Sequence, residues 1–255
     1  MTAVDAPSSD AEHADVETAS DDYAARFTGP TGAWMLARQE RIVRSFLRGS
    51  PGATVLDVGG GHAQLALPLC RAGCHVTVLG SDAACGRRVA AEVATGRIRF
   101  DVGDLVRLPY ADRSFLAAVS IRLLPHCARW PDLIAELCRV ANRMVIVDYP
   151  TRRSVNVLAD ALFGLKKRIE GNTRPYTLFD DREIGDAFAA QGFDLRARRP
   201  QFFFPMVLHR ALRQPWLSAS LEATAGAFGL TALFGSPVLA AYVRRPAAAR
   251  IADRG

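Results

Sequence analysis

The first concentration of chemistry is Asp57-Val58-Gly59-Gly60-Gly61, where the aliphatic run Val55-Leu56 meets an acid and then glycines. Gly59 and Gly61 lack a Cβ, so backbone there can run close beneath a ligand. The free N–H groups of a helix starting near Leu65 would point at that ligand. A nucleotide-like cofactor suits such a turn, although Gly-rich turns also serve plain connections. Four further sets of polar residues each follow an apolar run: Ser81 and Asp82 after His75–Leu79, Asp104 after Ile98–Phe100, Arg122 and His126 after Phe115–Ser120, and Asp148 with Tyr149 after Met144–Val147. His126 is a candidate general base, because an ordinary histidine titrates near neutral pH. The alternative is a capping or packing histidine. Lys167 and Arg174 lie in a stretch (166–176) dense in charge and turn residues. It reads either as a solvated helix end or as part of a lid over a polar acceptor.

The elements that must position these residues are strands alternating with helices. Strands are expected near 54–58, 75–79, 98–100, 115–120 and 144–148, with helices near 63–72, 83–93 and 131–141. That alternation predicts a parallel, doubly wound sheet. Such sheets bind ligands at the carboxyl ends of their strands, which is where the polar residues fall. A helical stretch over about 23–48 precedes the first strand, interrupted at Thr28-Gly29-Pro30-Thr31-Gly32. After Pro150 the pattern changes: helices near 155–169 and 181–191, a strand from Phe193 to about Arg198 or Phe204, a helical region near 206–232, and a last strand, 237–243. Two late strands with a long connection suggest an antiparallel edge pair.

The 255 residues are 49% hydrophobic and carry 32 basic and 26 acidic side chains. A single α/β domain is the expected organisation, over 21–246, with acceptor-side insertions near 151–180 and 205–235 and a tail at 247–255. Residues 1–22 hold seven acids and no Lys or Arg. Residues 1–20 lack apolar periodicity and are expected to be a disordered acidic segment. They have neither the basic nor the apolar region of a signal peptide. The basic remainder has scattered arginines, so nucleic acid is not an expected partner. No apolar run approaches the roughly 18 residues of a membrane span, and no stable membrane insertion is expected. Five cysteines without matched spacing argue against zinc, and no metal site is expected. Reduced thiols and a cytoplasmic location follow.

Taken in order, the glycine turn, Val102-Gly103-Asp104-Leu105, Leu108-Pro109-Tyr110 through Phe115, Arg122-Leu123-Leu124-Pro125-His126 and Glu136-Leu137-Cys138-Arg139-Val140 resemble the class I S-adenosylmethionine-dependent methyltransferases. Within these the chain resembles the group with a methyltransferase type 11 core, over roughly residues 53–150. The resemblance implies a seven-stranded Rossmann-like sheet of order 3-2-1-4-5-7-6 with strand 7 antiparallel, helical insertions near the acceptor site, and S-adenosyl-L-methionine as cofactor. It implies that Asp57, Gly59, Gly61, Ser81, Asp82, Asp104, Leu105 and Arg122 bind that cofactor. Asp57 would face its ammonium, Asp104 its adenine amino group, and Leu105 would give an N–H and an apolar wall. The acid that usually receives the ribose hydroxyls falls on Gly80, so Ser81 or Asp82 would replace it, with Asp82 equally a helix N-cap. The third family glycine is Ala63, and the usual acid after Phe115 is Leu116. Asp148, Tyr149, Lys167 and Arg174 would bind the acceptor.

The function expected is methyl transfer to a small molecule, quinone-, lipid- or secondary-metabolite-like, by in-line displacement. A cofactor-binding interaction protein without catalysis is the alternative from another class. A nicotinamide-dependent oxidoreductase is a weaker one, since no Tyr-x-x-x-Lys pair is present.

Overall fold

A computed structural model describes residues 13–60, 63–154 and 176–246. Seven strands form one sheet: β1 Thr54–Val58, β2 His75–Gly80, β3 Ile98–Val102, β4 Phe115–Ser120, β5 Ala141–Tyr149, β6 Phe193–Phe202 and β7 Ser236–Arg244. Their order is β3-β2-β1-β4-β5-β7-β6. β1 pairs parallel with β2 and β4, and β4 pairs parallel with β5. β7 runs antiparallel to both β5 and β6. The topology is the one expected, including the late antiparallel pair.

The central strands are buried on both faces, which is why they read as unbroken aliphatic runs. Alternation along each strand divides the core in two. On one face, Leu56, Val58, Val145, Val147 and Tyr149 pack with helices α6 (Trp130–Val140) and α7 (Asp181–Ala190). On the other, Val55 and Ile146 pack with α3 (Gly29–Phe46) and α4 (Ala66–Arg71). The helix α5 is Ala90–Ala94, reached through a 3₁₀ segment at Ala83–Val89. After β6 come α8 (Met206–Leu212), α9 (Pro215–Ala227) and α10 (Leu230–Phe234).

Three local expectations change. The interruption expected at 28–32 falls earlier, between Ala25 and Gly29, so Thr28-Gly29-Pro30 starts the second helix: Thr28 is extended and Pro30 sits in the first turn of α3, where its missing N–H costs nothing. The region 206–232 is three helices, broken at Arg213, which takes a left-handed φ of 54°, and at Gly229. The third concerns the expected disordered start. Residues 14–18 form helix α1 and 21–25 form α2. Ala14, Asp15, Thr18 and Ala19 are buried. Small side chains and one acid make this docked face, so no apolar periodicity announced it.

The connection from β3 to β4 is fixed to α6 by Arg139. Its guanidinium donates to the carbonyls of Leu108 and Tyr110 and to Glu136 and Asp112, while Glu136 accepts the Leu108 N–H at 2.7 Å. Glu136 and Arg139 thus anchor the β3–β4 connection to α6. It holds the segment carrying Asp104 and Leu105 against the sheet.

Candidate active site

β1 delivers Asp57 to the carboxyl edge of the sheet, and Gly59 turns the chain with φ +73°. A Cβ on Gly59 would stand 3.0 Å from Leu123 Cδ2, so any side chain would be strained in conformation and crowded in space. Gly60 wraps the Asp57 carboxyl so closely that its own Cβ would lie 2.3 Å from it. Asp57 is almost wholly buried. Burial pushes its carboxyl up to about 7, with the Arg122 charge partly opposing. A desolvated carboxyl beside a polar cleft favours a cationic partner. Gly61 lies outside the described residues.

Gly80 ends β2. A Cβ there would lie 2.8 Å from Cys85 Cβ and 3.1 Å from the Phe100 ring. There is no room for the acid that this register usually carries. Ser81 follows, and both its backbone N–H (2.9 Å) and its hydroxyl donate to the carboxylate of Asp15 from α1. Asp82 is exposed and caps the 3₁₀ segment by accepting the Ala84 N–H at 2.7 Å. Its side chain is used as a cap. Asp104 accepts the Val106 N–H at 3.0 Å, an Asx turn, and Leu105 is fully buried.

Arg122 follows β4 in a left-handed conformation, φ +63°, sparsely populated for a side-chain-bearing residue. The surroundings hold it there. Its N–H donates to Asp148 Oδ1 at 2.6 Å, its guanidinium donates to Gln39 Oε1, and its Cζ lies 4.2 Å from the Phe27 ring centre. Gln39 Nε2 also reaches Asp148 Oδ2 at 3.4 Å. Burial raises the Asp148 carboxyl to about 6, with the Arg122 N–H and charge opposing.

Beyond this cluster is a cavity of about 110 Å³. Phe27, Met35, Phe202, Met206 and Pro237 give it apolar walls, and His126, Asp148 and Gln201 give it polar ones. His126 lies 5.5 Å from the Tyr176 ring. Tyr23, Gln39 and Arg122 line both this cavity and the cleft at the glycine turn, which has about 20 Å³ free. Tyr149 does not line the cavity. Strand alternation sends it to the opposite face, where its hydroxyl donates to Asp181 at 2.9 Å beside Phe179. That corrects its assignment as an acceptor contact. Lys167 and Arg174 lie outside the described residues.

A buried Glu–His pair braces the strand that walls the cavity. Glu222 of α9 accepts the N–H groups of Phe203 (2.9 Å) and Phe204 (3.0 Å) and contacts His209 Nε2 at 3.0 Å, with both side chains fully buried. It pins the end of β6, turning Phe202 inward against Trp34. Sequence reasoning missed this group. The one available signal was a lone Glu on an otherwise apolar helical stretch.

A family described as "Methyltransferase domain" matches residues 55–143. Over 176 residues the chain is 32% identical to a demethylmenaquinone methyltransferase of Deinococcus radiodurans, covering 58% of this chain and 70% of that protein. The chain belongs to the class I S-adenosylmethionine-dependent methyltransferases. Its cofactor is S-adenosylmethionine. A methyltransferase of Streptomyces halstedii is also 32% identical over 122 residues, but the chain spans only 44% of that relative's length. The magnesium protoporphyrin IX methyltransferase of Synechocystis PCC 6803, solved with bound SAH, has the same fold at 14% identity (TM-score 0.60, covering 88% of this chain and 94% of that one).

The residues of this methyltransferase fit the cofactor unevenly. Toward the methionine end, a buried acid, a glycine turn and a neighbouring polar cleft suit an ammonium. Toward the adenosine end, residue types suit the group, but Asp15 of α1 already takes the N–H and the hydroxyl of Ser81. The glycine-turn cleft, lined by Thr18, Asp57, Gly59 and Arg122, has about 20 Å³, room for roughly one water.

Proposed function

We propose that this methyltransferase acts on a small, largely apolar acceptor held in the aromatic cavity. The observation that carries this reading is the shared wall: Tyr23, Gln39 and Arg122 stand between the glycine-turn cleft and the cavity. Donor and acceptor sites that share side chains hold their reacting ends adjacent. Alignment of that kind contributes several kcal/mol to lowering a bimolecular barrier. The Deinococcus relative, named for methylation of a quinone-type molecule, supports the same class of acceptor.

Asp57 offers its carboxylate to the methionine ammonium, and Gly59 carries backbone beneath the cofactor. Asp104 and Leu105 flank the adenine position. S-adenosylmethionine, when bound, would supply an electrophilic methyl carbon whose bond to the sulfonium sulfur breaks as the acceptor bonds to it, leaving S-adenosylhomocysteine. Arg122, locked by Asp148, Gln39 and Phe27, fixes the junction between the two sites. His126 at the cavity wall takes the proton released when a hydroxyl or acidic carbon is the acceptor. Asp148 is engaged by Arg122 and Gln39, so it orients rather than accepts. Phe27, Phe202 and Met206 exclude water.

The test is a screen of apolar oxygen-, nitrogen- and carbon-nucleophile acceptors with a deuterated methyl donor, read by product mass. Labelled product from an aromatic or prenylated small molecule is expected. Label found only on protein or nucleic acid would refute the reading, and so would cofactor binding without turnover on any acceptor.

A further inference from the structure

We propose that Gln201 selects an acceptor carrying an oxygen on an apolar frame. This rests on the reading of the cavity as the acceptor site. Gln201 sits one residue before the end of β6 and is 1% exposed. Its amide nitrogen finds no hydrogen-bond partner among the described residues, and the residue lines the cavity. Phe202, Met35, Met206 and Pro237 of the same lining offer no acceptor side chain, and the acceptor-bearing Asp148 is already engaged by Arg122 and Gln39. A buried amide donor left unmatched is costly, and few native groups are left so. A ligand carbonyl or hydroxyl oxygen would accept from it, while the rings and sulfurs contact the hydrocarbon. Sites with a donor awaiting an oxygen discriminate strongly against analogues that lack one.

The test uses two probes of similar shape, 2-naphthol and 2-methylnaphthalene, binding to wild type and to Gln201→Leu, a change of similar volume that removes the donor. Wild type should favour 2-naphthol by about tenfold, the worth of one net hydrogen bond. Gln201→Leu should lose that preference, bind 2-methylnaphthalene no worse, and melt no lower than wild type. A preference that survives the substitution overturns the role of Gln201. So does equal binding of both probes by wild type. Failure of both probes to bind, to wild type and to Gln201→Leu alike, overturns the cavity reading itself.

A separate observation carries a second proposal: helix α1 is a gate that occupies the adenosine end of the cofactor cleft and leaves when the cofactor binds. Asp15 is fully buried. Its two carboxylate oxygens take the N–H and the hydroxyl of Ser81. Its Cβ lies 3.4 Å from where a Gly59 Cβ would stand. It therefore bridges the glycine turn and the end of β2, where Ser81 would receive the ribose hydroxyls. Ala14 joins the core cluster that contains Leu79, Leu105 and Leu123, on the adenine side. Thr18 closes the remaining cleft and ties back to the Asp15 carbonyl at 3.0 Å. On this reading helix and nucleoside compete for the same volume. The gate is held by the Asp15 carboxylate against Ser81 and the Cys85 thiol and by small side chains, so it can be displaced.

The experiment measures S-adenosylhomocysteine binding by calorimetry for the full-length wild type, Asp15→Ala and Ser81→Ala, and follows amide exchange at residues 13–20. Asp15→Ala should bind about tenfold tighter, because a competitor for the site has lost its anchor. Adding S-adenosylhomocysteine to wild type should raise exchange at 13–20. Weaker binding by Asp15→Ala would make Asp15 a ligand of the ribose hydroxyls, and the gate would be wrong. Unchanged affinity together with unchanged exchange would also refute it. Ser81→Ala reports the same contact from the other side and should raise exchange at 13–20 without cofactor.

Discussion

At the glycine turn the chain fills its own cleft with Asp15 and Thr18, leaving about 20 Å³, whereas beyond Tyr23, Gln39 and Arg122 it leaves about 110 Å³ among aromatic and sulfur-bearing side chains. The two regions differ in what an empty space would cost. The cleft is lined by Asp57, Gln39, Arg122 and the glycine turn, with Ser81 at the neighbouring end of β2, polar groups that need partners. Leaving it dry exposes unmatched polar atoms, and an acid from the N-terminal segment supplies the match for Ser81. The cavity is lined mainly by apolar groups, and genuinely empty cavities are of that kind. It is also braced: Glu222 holds the Phe203 and Phe204 N–H groups. The polar cleft is thus filled by the chain's own acid, while the apolar cavity stands open.

The comparison breaks most sharply at Asp57. Asp57→Asn keeps shape and removes charge from the cofactor side alone. Cofactor affinity should fall by about 3 kcal/mol, as for removing one partner of a buried pair, and 2-naphthol binding in the cavity should be unchanged. Calorimetry with each ligand separates the two. Equal loss of both would mean that the shared wall couples the regions into one site.

On the cavity side, His126→Gln should lower turnover about 10²-fold, the usual size of general-base assistance, with S-adenosylhomocysteine affinity unaltered. The pH–rate profile of the two proteins decides the role. If the acidic limb persists in His126→Gln, or if turnover and melting temperature fall together, the histidine packs and alignment carries the rate.

The sequence made one side of this comparison much more legible than the other. Strands β1, β2, β4 and β5 announce themselves because burial on both faces demands unbroken aliphatic runs, and the order of the sheet followed from recognised motifs. The positions of Asp57, Arg122, His126 and Asp148 at the carboxyl edge were legible for the same reason. Asp15 was not. It lies 66 residues from Ser81, in a segment whose docked face is Ala14, Asp15, Thr18 and Ala19, and no periodic signal distinguishes small buried residues from a solvated acidic tail. Tyr149 failed for a simpler reason: adjacent strand residues face opposite ways, so Asp148 and Tyr149 could not both reach one cavity. Glu222 was hidden because a lone acid is read as surface, and only the fold brings Phe203, Phe204 and His209 to it.

Acid titration sharpens the comparison further, since burial raises Asp57 to about 7 and Asp148 to about 6. Both carboxyls sit near the ordinary value of about 4 in the unfolded chain. Protons are therefore bound more tightly by the folded state. The stability this contributes is complete below about pH 4 and is lost as pH rises through 6 and then 7. Melting temperature of the cofactor-free protein should fall across that window, and the slope near pH 7 should disappear in Asp57→Asn. A cationic ligand reverses the effect at Asp57: S-adenosylmethionine should bind better as pH rises through 7, with proton release measurable by calorimetry in buffers of different ionisation heat. A flat profile for both proteins would place Asp57 in contact with solvent rather than in a desolvated donor cleft.

The smallest effect is expected at Asp104, and it tests how far the adenosine end is a site at all. Its Oδ1 caps the Val106 N–H at 3.0 Å, so Asp104→Ala removes a turn contact as well as any adenine contact. Loss of the cap alone should cost about 1 kcal/mol of stability. Asp104→Asn keeps an oxygen for Val106 and a similar shape. If the second oxygen serves adenine, Asp104→Asn should retain the melting temperature and weaken S-adenosylhomocysteine binding by about 1 kcal/mol, with the loss larger once Asp15→Ala has opened the cleft. If the residue only shapes the turn, Asp104→Asn should match wild type in both measurements and Asp104→Ala should differ in stability alone. The double variant is the informative one. If Asp15 competes with the cofactor, part of every change at the adenosine end is masked while the helix is in place, and the opened cleft reports the contact itself.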